Sequence, residues 1–185
     1  MIEQVKKDTE GRMAKSLESL KTNLAKIRTG RANTALIENI QVDYYGNRSP
    51  MNQVAAVGVG DARTLTVTPW DKGAVHAIEK AILESGLGLN PVTAGLTIRI
   101  PLPPLTEERR KDLSRLARAE GEEAKVAIRA VRRDSNTHLK ELIKKKELSE
   151  DDEKRGQDIV QKSTDHFIAE VDKIVAAKER DILAV

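Results

Sequence analysis

The sequence predicts an α+β protein, a long three-helix bundle carrying an inserted small β/α/β domain. Three observations lead there. Apolar residues recur at helical spacing before residue 30 and again after residue 105. Glycine and proline break the chain at Thr29-Gly30-Arg31 and at Leu102-Pro103-Pro104-Leu105. Between these breaks, apolar and polar residues alternate as they do in strands. The expected division is residues 1–30 with 105–185 for a discontinuous bundle and 31–104 for the insert. Joints are expected near 29–31 and 102–105, with Gly30, Arg31, Pro103 and Pro104 as hinge residues.

The first helix is read from Met13, Leu17, Leu20, Leu24 and Ile27, a seam at alternating spacings of four and three. Gly30 supplies its expected stop. In the insert, Ile40-Gln41-Val42-Asp43-Tyr44-Tyr45-Gly46-Asn47 alternates and then turns, and Thr64-Leu65-Thr66-Val67-Thr68-Pro69-Trp70 and Gly95-Leu96-Thr97-Ile98-Arg99-Ile100-Pro101 alternate again. A helix is expected over residues 71–83 from Val75, Ile78 and Ile82, ended by Ser85-Gly86-Leu87-Gly88. Gly58-Val59-Gly60-Asp61-Ala62-Arg63 reads as a turn, because Arg63 stands where a dinucleotide fingerprint needs its third glycine. Tyr44, Tyr45 and Trp70 are three of the chain's four aromatic residues and are expected to serve a small core of the insert.

Helical grammar resumes at Thr106-Glu107-Glu108, a threonine cap followed by acids at the positive end of the helix dipole. The run continues without proline to about Lys146, on the order of 60 Å at ~1.5 Å per residue. Ser149-Glu150-Asp151-Asp152 opens a third helix whose inner face carries Val160, Phe167, Val171 and Ile174. Gly11, Gly121 and Gly156 fall inside predicted helices, each at a cost of about 1 kcal/mol relative to alanine. Close helix approach is the expected reason. His138 and His166 are placed near apolar faces, where inter-helix hydrogen bonds are expected of them.

Composition narrows the chemistry. The chain has no cysteine and three histidines, so thiolate nucleophiles and thiolate metal sites are excluded, and neither a metal nor a cofactor is expected. No nucleophile with a base, phosphate loop or metal-ligand spacing is visible, so no enzyme activity is expected. No run approaches the ~20 apolar residues of a membrane span and the N-terminus lacks a signal core, which points to the cytoplasm and to no membrane partner. The net charge of +3 is unevenly spread. Residues 31–104 hold six basic and six acidic side chains, residues 105–146 thirteen and eight, and residues 147–185 six and eleven.

The basic excess has a pattern. On a helical wheel, Leu113, Leu116, Ala124, Ala127, Val131 and Leu142 group on one side of the second helix. Lys111, Arg115, Arg118, Lys125, Arg129 and Arg132 fall opposite, interrupted by Glu122. A stripe of roughly 30 Å can meet a row of phosphates, and the planar forks of Arg129, Arg132 and Arg133 suit phosphate oxygens. The bland alternative is a solvated face in which Glu122 pairs with Arg118 or Lys125. The persistence of one sign, with acids displaced to Glu150-Asp151-Asp152-Glu153, favours nucleic acid. Without Asn, Gln or aromatic interleaving, contact to phosphates by shape is expected, not base reading. A helical adaptor or chaperone-like module that binds proteins is the competing expectation.

Several segments together resemble a known family. They are Lys26-Ile27-Arg28-Thr29-Gly30-Arg31-Ala32, Tyr44-Tyr45-Gly46, Pro101-Leu102-Pro103-Pro104-Leu105-Thr106-Glu107-Glu108-Arg109-Arg110, and Ile128-Arg129 with Arg132-Arg133-Asp134. In this order and over the whole length, the chain resembles the bacterial ribosome recycling factors. The resemblance implies an L-shaped molecule whose bundle carries the β/α/β domain through a two-strand hinge. It implies binding to the post-termination ribosome, with the bundle against large-subunit rRNA. It implies action with elongation factor G and GTP to separate the subunits and release mRNA and tRNA. A monomer without catalytic residues is expected. The family's second-helix arginines correspond to Arg110, Arg129 and Arg132, and the expected rRNA-binding set is Arg110, Arg118, Lys125, Arg129, Arg132 and Arg133.

Overall fold

The computed structural model describes residues Met1–Ala184. Its elements follow as α1 (Ile2–Ala25), β1 (Gln41–Tyr44), β2 (Asn47–Pro50), α2 (Met51–Val54), β3 (Ala55–Asp61), β4 (Thr64–Pro69), α3 (Val75–Leu83), β5 (Val92–Ala94), β6 (Thr97–Pro101), α4 (Glu107–Lys144) and α5 (Glu150–Leu183). The chain divides into two compact units. One comprises Met1–Leu24 with Ser114–Arg180, the other Ala25–Leu113 with Asp181–Val185.

The first unit packs three long helices. On α1 the buried positions are Val5, Thr9, Met13, Leu20 and Leu24, while Leu17 is only half-buried. Within this unit α4 buries Ala117, Gly121, Ala124, Ile128, Val131, Ser135, Leu139 and Leu142, again at spacings of three and four. This seam differs from the expected one, since Leu116 remains 47% exposed and Ala127 is exposed. The reason is proximity. A Cβ added at Gly121 would lie 2.7 Å from Val175 Cγ2, and one added at Gly156 would lie 3.0 Å from Leu139 Cδ2. Small residues go inside because α4 and α5 approach too closely there for large ones. No such reason exists for Gly11, whose added Cβ would meet nothing within 4 Å.

Hydroxyls bridge the helices inside this unit. Thr9 Oγ1 donates to the Val5 carbonyl at 2.7 Å and lies 2.6 Å from Ser135 Oγ, which joins α1 to α4. Ser163 Oγ donates to Glu10 Oε1 at 2.9 Å, joining α5 to α1. Buried hydroxyls cost stability unless partnered, so these pairs favour one helix register over its neighbours. The histidines do not take part. His138 and His166 are exposed, each one step off a buried or half-buried neighbour, and His166 rests edge-on against Phe167 at 5.2 Å. The turn into α5 is closed by Ser149 Oγ, which accepts the Asp152 N–H at 3.1 Å as an N-cap.

In the second unit, β3-β4-β6-β5 form an antiparallel sheet in that order, and β1 with β2 form a separate hairpin. Leu65 and Val67 of β4 and Ile98 and Ile100 of β6 bury one face of the sheet in a core shared with Ile78 and Ile82 of α3. The expected turn at 58–63 is strand for most of its length. Gly58 and Gly60 belong to β3 because the Thr66 side chain lies against them, 3.3 Å and 3.0 Å from where their Cβ atoms would be. The three-residue β5 is wholly exposed and carries no alternation by which to read it. The aromatic expectation also fails. Trp70 is 67% exposed and Tyr45 70%, and only Tyr44 packs on the core. Trp70 continues the outward phase of β4, in which Leu65, Val67 and Pro69 point inward.

The joint segments are anchored within this second unit. Helix α1 ends at Ala25, not at Gly30. The chain then turns on Thr29 Oγ1, which accepts the Arg31 N–H at 3.2 Å. Gly30 is not a cap: an added Cβ would lie 2.7 Å from the Ala184 carbonyl oxygen, so glycine is required where backbone meets backbone. The Ala32 N–H donates to the Ala62 carbonyl at 2.8 Å and the Leu102 N–H to the Arg63 carbonyl at 2.7 Å. Both ends of residues 32–102 are thus tied to the single turn between β3 and β4.

Candidate nucleic-acid interface

Helix α4 displays the cations, but not all on its outer side. Lys125 follows the buried Ala124, and Arg132 follows the buried Val131, so both lie on the flank turned toward α5. Lys125 exposes only 17% of its side chain, and its Nζ lies 2.6 Å from Asp172 Oδ1 and 3.5 Å from Glu122 Oε1. The hydrogen bond it donates to Asp172 raises its pKa and fixes its charge. Arg118 grips Glu179 with two bonds, Nε to Oε1 at 2.6 Å and Nη2 to Oε2 at 3.3 Å. This pair likewise raises the pKa of Arg118. Arg132 donates from Nη1 to Gln161 Oε1 at 3.3 Å, and its Nε is buried without a partner.

Arg129 and Arg133 differ from these. Both are exposed, and among the described residues neither has an ion pair or a side-chain hydrogen bond. The carboxylate next to them, Asp134, is occupied by Arg12 Nη2 at 2.9 Å and so offers them no intramolecular salt bridge. Three consecutive turns of α4 therefore grade from neutralised to available cations. Lys125 is paired, Arg129 is open, and Arg132 and Arg133 hold between them one guanidinium bonded only to an amide and one bonded to nothing. Exposed arginine forks without carboxylates are suited to bidentate phosphate contact.

Arg110 belongs to the second unit, while the other five expected cations belong to the first. It is half-buried, and its Nε has no partner. Sequence reading passed over Arg28 in the same unit. Burial and then the like charge of Arg109 lower the pKa of Arg28, and its Nε is also buried and unpartnered. Guanidiniums kept near one another at a cost in repulsion present the chemistry of an anion site. Asp172, Glu179 and Gln161 were missed individually as well, although the acidic excess of residues 147–185 announced the two carboxylates collectively. Among the described residues no group of three or more His, Asp or Glu is placed to hold a metal ion, and no helix is long and apolar enough to cross a membrane.

Comparison with known proteins places this architecture. The family model described as ribosome recycling factor matches residues 20–183. The ribosome-recycling factor of Legionella pneumophila (strain Corby) is 55% identical over 185 residues, covering 100% of both chains. That of Ralstonia pickettii (strain 12J) is 58% identical over 184 residues, covering 100% of this chain and 99% of the relative. A solution structure of the ribosome recycling factor superposes with a TM-score of 0.78 at 44% identity, covering 100% of this chain and 98% of the other. A second structure, of the T. thermophilus ribosome recycling factor with E. coli elongation factor G on the E. coli post-termination complex, gives 0.69 at 50% identity with both chains fully covered. A bundle interrupted by a clamped β/α/β unit, and matched along its whole length at this level of identity, belongs to the ribosome recycling factor family.

Proposed function

We propose that this chain recycles ribosomes after translation termination. It binds the post-termination ribosome in the cytoplasm and, with elongation factor G and GTP, promotes separation of the subunits and release of mRNA and tRNA. Its relatives support this reading, in particular the one solved with elongation factor G on the post-termination complex. The single structural observation that supports it is the open cationic face of α4 at Arg129 and Arg133, flanked by Arg132.

The bundle acts as a stiff anchor on large-subunit rRNA and carries no catalytic residue. Arg129, Arg132 and Arg133 take phosphate oxygens directly. Arg118 and Lys125 add to the local potential but must leave Glu179 and Asp172 before contacting a phosphate. Arg110 contributes from the second unit. Gly30-Arg31 lies just before the tie at Ala32 and Pro103-Pro104 just after the tie at Leu102, so the clamped segment 32–102 can turn about these pairs while its own fold is held. The work comes from the GTP-hydrolysing partner. The test is splitting of purified post-termination ribosomes, followed by light scattering, with and without elongation factor G and GTP. Splitting that needs all components is expected. Identical subunit levels with and without this protein would overturn the reading.

A further inference from the structure

The hairpin of β1 and β2 closes on two residues, Tyr45 at φ 49° and Gly46 at φ 84°. Positive φ at both positions is the geometry of a type I′ turn, in which the first position suits Asn, Asp or Gly and a bulky side chain is strained. Tyrosine gains nothing there from burial, since it is 70% exposed. The surroundings nevertheless hold it still. Its hydroxyl donates to Asp71 Oδ2 at 2.7 Å, and the Tyr44 hydroxyl reaches the same oxygen at 3.2 Å. Asp71 Oδ1 accepts the Gly73 N–H at 2.9 Å. Gly73 leaves the ring room in this position, since an added Cβ would stand 2.6 Å from Tyr45 Oη and push the hydroxyl aside. The two phenol rings meet edge to face at 4.6 Å.

A left-handed backbone, a carboxylate and a glycine are therefore all arranged around one exposed ring. Backbone strain kept at a side chain that stays largely exposed is a feature that clusters at binding sites. The chemistry on offer is two aromatic rings beside a fixed carboxylate, which attracts an organic cation through both cation–π and charge-assisted contacts. The Tyr45 hydroxyl foremost, then the Gly73 N–H, keep the Asp71 carboxyl below its usual pKa, so it is anionic at neutral pH. That carboxylate repels phosphate, and residues 31–104, with six cations against six anions, offer nucleic acid no net attraction.

We propose that Tyr44, Tyr45 and Asp71 form a docking site for a protein partner that presents an arginine or lysine side chain to the two rings and the carboxylate. The site is distinct in its charge from the phosphate-seeking face of α4. It rests on the reading of this chain as a ribosome-splitting factor that acts together with a protein partner, elongation factor G.

The test exploits the turn. Tyr45→Asn removes the ring but supplies a residue the backbone prefers, so the lobe stays folded. Purified post-termination ribosomes, elongation factor G and GTP are used throughout. Tyr45→Asn is expected to melt within a few degrees of the parent and to sediment with ribosomes at unchanged affinity and salt dependence. At limiting elongation factor G it is expected to split subunits about tenfold more slowly, as removal of a buried aromatic anchor does. Tyr45→Phe, which keeps the ring, is expected to lose less. A photo-reactive benzoylphenylalanine placed at position 45 is expected to label a peptide containing Arg or Lys. Parental splitting by Tyr45→Asn, or label found only on rRNA, overturns the docking site and leaves the splitting function intact. Failure of the parent protein to split ribosomes overturns the functional reading and this site with it.

Discussion

In the bundle, one buried stretch of α4 is built from Ala117, Gly121 and Ala124, while Leu116 is half exposed. In the inserted unit, Leu65, Val67, Ile98 and Ile100 fill the interior, and two of its three large rings, Trp70 and Tyr45, stay outside. The bundle also displays charge in excess, whereas the insert balances it. Hydrophobicity alone predicts neither arrangement. Where the backbone of one helix lies against the side chains of another, side-chain volume decides what enters, and where a sheet offers one covered face, the phase of alternation decides. Large side chains left out by either rule remain available to partners.

The largest effect that would break this contrast lies on the bundle's cationic face. Arg129→Ala with Arg132→Ala is expected to weaken ribosome binding by at least about a hundredfold at physiological salt, since each charge-assisted contact contributes roughly 1.5–3 kcal/mol. The slope of log affinity against log salt should flatten by about 0.7 to 0.9 for each phosphate that is no longer neutralised. A parallel shift without a change in slope would remove phosphate contact from the account. Next comes the packing rule. Gly121→Ala should destabilise the bundle by about 1–3 kcal/mol in urea melts by forcing Val175 away. Gly11→Ala, made on the same kind of helix but facing open space, should stabilise it by about 1 kcal/mol. Equal effects at the two glycines would show that helix proximity does not govern the seam.

Smaller effects sharpen the comparison. Asp172→Asn loosens Lys125, so ribosome affinity should rise a fewfold and its salt dependence steepen, at a slight cost in thermal stability. An unchanged salt slope would mean that Lys125 never meets phosphate. Acid should act on the insert through Asp71 and Asp61, whose pKa values are lowered, for Asp71 first by the Tyr45 hydroxyl and for Asp61 first by the Arg63 N–H. Their folded pKa values lie below the unfolded value near 4, so the stabilisation is whole above about pH 4 and is lost as pH falls through the folded values. Melts of Asp71→Asn should show a weaker acid dependence than the parent.

The layout of elements was legible from periodicity and punctuation, and the long α4 and α5 follow their capping signals at Thr106 and Ser149. Contacts between elements were less so. Two positions within the seam on α4, Leu116 and Ala127, were misjudged because a wheel weighs Leu116 above Ala117 and has no knowledge of Val175 on another helix. Strand β3 was hidden by Gly58 and Gly60, which signal turns locally and are explained only by Thr66 across the sheet. Of the cationic residues, Arg129 and Arg133 are as open as the sequence suggests. The engagement of Arg118 and Lys125 depends on carboxylates of another helix, far along the chain and beyond the reach of any local pattern.

Because Ala32 and Leu102 donate to the carbonyls of adjacent residues, the inserted unit enters and leaves through a single doorway. Such a segment is topologically a cassette. Excised at that doorway and closed by a short linker, residues 32–102 are expected to keep their sheet, hairpin and helix, as circular dichroism of the excised piece would check. What the stem must match in such a piece is then only the spacing of two adjacent chain ends, so either part can be redrawn without redrawing the other.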